Sequence, residues 1–116
     1  PTTPSTGRLN MVIWVLTGTY EGEQFCSTHL TEKGACLAAI GDVLEMLGVE
    51  DEETARHAME QRRVGLMKDE DPIEWDLEKM KGLPRNKLWA IFGEWGEYTW
   101  DMMDYRCEVL RTQVAV

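Results

Sequence analysis

The chain has 116 residues, 43% of them hydrophobic, and carries 12 Lys and Arg against 21 Asp and Glu, a formal net charge of −9. That length fits one domain able to bury its own core, and the apolar share is globular rather than disordered. The acid excess argues against direct nucleic-acid binding and against docking on anionic membranes, both of which need clustered Lys and Arg. It fits a basic partner, or a surface charged for solubility.

Residues 1–10, PTTPSTGRLN, are rich in Pro, Thr and Ser and show no apolar pattern. They are expected to be a tail or a cloning scar ahead of a native start at Met11, leaving 11–116 as a single domain. Residues 11–17, MVIWVLT, form a short apolar run rich in β-branched and aromatic residues. The run predicts a buried strand, with Trp14 and Leu16 on one face and Ile13 and Val15 on the other. A turn over 18–23 and a returning strand over 24–28 complete a hairpin.

Thr31 is placed to cap a helix, and Glu32 sits at its positive end. Cys36, Ala39, Ile40, Val43, Leu44 and Leu47 then make one apolar stripe, and Gly48 ends the helix. The acids Glu50, Asp51, Glu52 and Glu53 open a second helix with a narrow face of Ala55, Ala58 and Met59, and Arg62 and Arg63 suit its C-terminal end. Residues 64–70 connect it to a third helix, with Asp71 as cap and Pro72 at the first helical position. Ile73, Leu77 and Met80 share its inner face, and Gly82 stops it. Pro84 begins a fourth helix carrying Leu88, Trp89, Ile91, Phe92 and Trp95, limited by Gly93 and Gly96. Alternation of Tyr105, Cys107 and Val109 with Arg106, Glu108 and Leu110 predicts a strand around 98–113, residues 100–103 being an alternative extension of the helix. The fold class is therefore α+β: an N-terminal β-hairpin and a C-terminal antiparallel strand in a small sheet, packed against three to four helices.

The three cysteines, Cys26, Cys36 and Cys107, are odd in number and irregularly spaced, with no leader pattern ahead of them. They read as free thiols in a reducing, cytoplasmic compartment. Apolar runs such as 11–16 and 35–40 are far too short to span a membrane. Cys26-x2-His29-x6-Cys36, with Cys107 as a fourth ligand, is the strongest metal candidate and defines a small zinc-binding module as one alternative. Its spacing departs from the paired-cysteine knuckles, and Cys36 falls on a core stripe, so neither metal nor cofactor is expected. A catalytic thiol at Cys26 would need His29 as base, but residues three apart on a strand point to different faces. His57 stands among charged residues. Gly93-Glu94-Trp95-Gly96 has too few glycines and too much negative charge to cradle phosphate. Asp69-Glu70-Asp71 lacks the ligand order of a calcium loop. No catalytic residues are assigned, and the protein is not expected to be an enzyme.

Two intervals hold acids without a base. Residues 69–78 contain Asp69, Glu70, Asp71, Glu74, Asp76 and Glu78 around Trp75, and residues 94–104 contain Glu94, Glu97, Asp101 and Asp104 around Trp95, Tyr98 and Trp100. Aromatic residues anchor interfaces, and acids beside them select and steer a basic partner. These residues form the candidate partner-binding surface; core packing is the competing use of the Trp side chains.

The hairpin-then-helix segment over 12–47, with its Thr31-Glu32-Lys33-Gly34-Ala35 helix start, resembles small acidic accessory proteins of phages and mobile elements of the anti-CRISPR and anti-restriction inhibitor type. The resemblance covers about a third of the chain. It implies a non-enzymatic inhibitor in the cytoplasm of a host bacterial cell, with no catalytic residues to carry over. Such a protein binds a basic, nucleic-acid-binding site on a protein or ribonucleoprotein complex of host defence. Because ten of the twelve bases lie after residue 49, a local acidic-aromatic patch is expected rather than mimicry of a whole duplex. The second alternative is a homodimeric accessory or structural protein pairing through an edge strand.

Overall fold

A computed structural model describes residues 10–62, 73–102 and 105–115, with side chains for all of these except 10, 61–62 and 96–102. Three strands, β1 (Asn10–Tyr20), β2 (Glu23–His29) and β3 (Tyr105–Ala115), form an antiparallel sheet in the order β2-β1-β3. Among the described residues there are four helices: α1 (Glu32–Met46), α2 (Glu52–Arg62), α3 (Leu77–Met80) and α4 (Arg85–Met102). This is the α+β arrangement the sequence predicts.

The hairpin turn is tighter than expected. Only Glu21 and Gly22 lie between the strands, at φ 50° and 87°, the pair of positive values that matches a two-residue turn to strand twist. Gly18, assigned to the turn from sequence, lies inside β1 opposite Phe25 and Cys107. A Cβ there would fall against the Arg106 carbonyl oxygen and 2.7 Å from Cys107 Cα, so glycine serves the close approach of β3, not a bend.

Side chains alternate across β1 as predicted. Leu16 and Tyr20 face the helices with Phe25, Tyr105, Cys107 and Val109, while Met11, Leu110 and Val114 are exposed on the opposite face. The helices cover the inner face: α1 buries Ala35, Cys36, Ala39, Ile40, Val43 and Leu44, and α4 buries Leu88, Ile91, Phe92 and Trp95. Phe25 stacks on Tyr105 with ring centroids 5.7 Å apart. β2 pairs only with Trp14 onward, so the far ends of β1 and β3 continue as a two-stranded ribbon, and the molecule is elongated at 65 × 33 × 20 Å.

The caps explain the helix limits. Thr31 Oγ1 accepts from Gly34 N–H at 2.9 Å. At the other end Gly48, at φ 71°, donates to Glu45 O, and Val49 N–H reaches Leu44 O, the paired bonds of a glycine-terminated helix. Asp51 and Thr54 cap α2 reciprocally: Thr54 N–H donates to Asp51 Oδ1 at 2.8 Å, and Thr54 Oγ1 accepts from Asp51 N–H at 3.0 Å.

Three boundaries correct the sequence reading. The expected cap at Asp71 and helix start at Pro72 lie outside the described residues, but Ile73, expected on the inner helix face, and Trp75, expected in the helix to the side of that face, are not helical. The helix there is a single turn capped by Asp76, whose carboxylate accepts from Glu78 N–H at 3.0 Å. The Glu74 carbonyl instead accepts from the Trp95 indole. Gly93 and Gly96 do not stop α4, which runs on to Met102. A glycine inside a helix costs about 1 kcal/mol, less than burying a side chain the size of Trp95 returns. The last strand consequently starts at Tyr105, not at 98.

Candidate functional site

The predicted partner-binding residues separate into distinct surroundings. Asp69, Glu70, Asp71 and Asp104 lie outside the described residues. Glu97, Tyr98, Trp100 and Asp101 stand on the last turns of α4, where only the backbone is described. Glu94 is exposed on the same helix. Trp95, expected as a surface anchor, is 1% exposed. Its Nε1–H donates to Glu74 O at 2.8 Å, so it is a core residue with a satisfied polar edge, and the anchor assignment is corrected.

The 69–78 interval fares differently. Of its described residues, Trp75, Asp76 and Glu78 meet Glu45 and Glu50, from the C-terminal end of α1 and the loop after it, around a groove of about 330 Å³, whereas Glu74 is exposed and does not line it. Leu44, Val49, Leu77 and the half-buried Trp75 supply its apolar walls. Among the described residues four carboxylates line the groove, and no Lys, Arg or His does. The C-terminal end of α1 adds its own partial negative charge. Glu78 is paired at 2.9 Å with Lys81 one turn on, and this exposed pair leaves the rim acidic. Sequence reasoning missed Glu45 and Glu50 because their nearness to Trp75 is a tertiary fact without a local signal.

A second cleft, of about 530 Å³, runs between β2 and α1 and is lined from the strand by Phe25, Cys26, Ser27 and His29 and from the helix by Ala38, Asp42 and Met46. Ser27 Oγ lies 2.8 Å from His29 Nε2, two residues apart on one strand face. The sequence reading weighed only Cys26 against His29, three apart, and missed this pair. A nucleophile–base pair also needs a group orienting the base; among the described residues no carboxylate is hydrogen-bonded to the His29 ring. Asp42 is half-buried, and desolvation, assisted by Glu45, raises its pKa, with His29 opposing.

The metal candidate does not assemble. Cys26 is exposed and Cys36 buried, and among the described residues no three His, Cys, Asp or Glu side chains are grouped to hold a metal ion. All three cysteines are free, and burial pushes the Cys36 thiol up to about 12. Glu32 is held below the usual carboxylate range by Arg85, 2.8 Å away, and by the Trp89 indole, which joins the start of α1 to the start of α4.

No helix of the described residues is long and apolar enough to cross a membrane. The chain matches no protein-family model, no curated protein and no solved structure.

Proposed function

We propose that this chain is a non-enzymatic binding protein. It captures a basic protein partner through the groove beside Trp75 and so blocks a Lys- and Arg-rich, nucleic-acid-binding site on a host defence complex, in the manner of anti-CRISPR and anti-restriction inhibitors. The observation that carries this reading is the combination of apolar walls with a rim of Glu45, Glu50, Asp76 and Glu78, of which, among the described residues, only Glu78 is ion-paired, to Lys81. A Lys or Arg side chain fits both parts: its aliphatic stem lies on Trp75 and Leu77, and its head meets the carboxylates. Occupying such a cation removes it from phosphate contact.

The test is capture from nuclease-treated bacterial lysate on the immobilised protein and on an E50Q/D76N/E78Q variant. The proposal expects a nucleic-acid-handling protein or complex retained at low salt, released at high salt or by heparin, and lost with the variant. Retention unaffected by salt, heparin and the substitutions removes the groove from consideration. Asp76→Asn keeps a good helix cap, so the fold is preserved.

A homodimeric accessory role is favoured by a separate observation. Met11 and Val114, where β1 and β3 form the ribbon, and Leu110 beside it leave apolar surface on the sheet face opposite the described helices, and two-stranded ribbons are marginal alone. A monomer mass in light scattering that does not change with concentration ends this reading.

A further inference from the structure

In the described sheet β2 and β3 are both edge strands, and the edge of β2 has the cleft walled by α1 beside it. β2 has a single neighbour, β1, and no backbone bond between described residues outside the strand ladders reaches it. The Phe25 carbonyl points toward β1, since Thr17 Oγ1 donates to it at 3.3 Å. In an antiparallel strand, alternate residues direct N–H and C=O to opposite sides. Gln24, Cys26 and Thr28 therefore offer theirs outward.

The cleft beside this edge is lined from both sheet faces: Phe25, Ser27 and His29 belong to the inner row, Gln24 and Cys26 to the outer. It thus straddles the edge, with α1 as its far wall. An added strand would turn every second side chain toward α1, where Asp42 stands half-buried without a hydrogen bond among the described residues, flanked by Glu23 and, toward the turn, by Glu45.

We propose that the β2–α1 cleft takes an extended basic peptide as a fourth strand, its backbone paired to Gln24, Cys26 and Thr28 and its inward Lys or Arg facing Asp42 and Glu23. Main-chain bonds provide affinity in this mode, and alternate side-chain positions provide selection. Charge chooses the occupant: a second copy of this acidic chain paired edge to edge by a two-fold would set the same carboxylates against each other, whereas a basic strand neutralises them. The inference stands on the strand edge and is independent of the groove beside Trp75.

The probe is a labelled peptide, acetyl-Thr-Lys-Val-Arg-Val-Lys-Thr-amide, with a second in which Glu replaces each Lys and Arg. Binding is followed by anisotropy and by amide hydrogen exchange on the full chain. The expected result is binding of the basic peptide alone, weakening with salt, with new protection at the amides of Gln24, Cys26 and Thr28. Asp42→Asn should weaken it about tenfold, while E50Q/D76N/E78Q should leave it unchanged. Cys26→Pro removes an outward donor at a position edge strands tolerate and should abolish binding with the circular dichroism retained; if that variant does not fold, Asp42→Asn and the exchange pattern still decide. Four outcomes overturn the proposal: no binding at about 1 mM peptide, equal binding of the acidic peptide, binding without protection at the three amides, or protection already present in the free protein that falls on dilution, which assigns the edge to a second copy.

Discussion

The Trp95 indole N–H donates to the Glu74 carbonyl oxygen at 2.8 Å, tying the buried face of α4 to the irregular segment that leads into the acid-rimmed groove. Trp95 is therefore a support of the candidate site, one layer beneath it. Trp95→Phe keeps most of the packing volume but leaves that carbonyl without its donor, at about 1–3 kcal/mol. Trp95→Ala adds a cavity and should cost about 3–5 kcal/mol. Urea unfolding measures both. If the groove binds the partner, Trp95→Phe should also weaken capture at denaturant-free conditions where the protein remains folded.

Gly18→Ala tests the close approach of β3. The added Cβ meets the backbone of Arg106 and Cys107, neither of which can swing aside as a side-chain tip would. Overpacking of this kind costs about 1–3 kcal/mol. The loss should appear in chemical denaturation and as faster amide exchange in β3, while α1 keeps its protection until global unfolding. A neutral substitution would mean that β3 stands further from β1 than the register implies.

The cysteines should react in the order of their surroundings. Cys26 is exposed on β2. Cys107 is half-buried with its thiol pushed up by desolvation. Cys36 is fully buried and pushed up to about 12. Since the thiolate is the reactive form, a disulfide reagent at neutral pH should modify Cys26 promptly, and Cys36 only on unfolding. Rapid modification of Cys36 in the folded protein would contradict the packing of α1 against the sheet.

What was legible in the sequence is what depends on neighbours along the chain. The cap at Thr31, the α1 stripe, the stop at Gly48 and the face alternation of β1 each follow from local chemistry or from a fixed period. The misreadings involve tertiary competition. Gly93 and Gly96 carry a local preference against helix that the burial of Leu88, Ile91, Phe92 and Trp95 overrides. Ile73 left its expected helix face in a non-helical segment whose next carbonyl, that of Glu74, accepts from Trp95 on α4. The candidate groove was half legible: Trp75, Asp76 and Glu78 form an acidic-aromatic run in sequence, while Glu45 and Glu50 join them only because α1 ends there. The β2–α1 cleft had no signal, since an edge strand is defined by the absence of a second neighbour.

Asp42 offers a check on the cleft through its charge. Desolvation and Glu45 raise its pKa, and His29 opposes them from β2; Tyr105 and Cys107 on β3 also feel its charge. A carboxyl whose pKa is higher folded than unfolded binds its proton more tightly in the native state. Its contribution is favourable below the unfolded value, near 4, and is lost as pH rises through the folded one. At neutral pH the ionised Asp42 is thus a local liability. Asp42→Asn should raise the Tm at pH 7, and the gain should shrink as pH falls through the raised folded pKa and be absent below the unfolded value near 4. Paired measurement of Tm at the two pH values checks the sign. A variant that is both more stable and a weaker binder of the basic peptide would show that the carboxylate is kept for binding at the expense of stability. Destabilisation by Asp42→Asn at neutral pH would mean that a donor holds the ionised form, and would withdraw the residue from the cleft's charge argument.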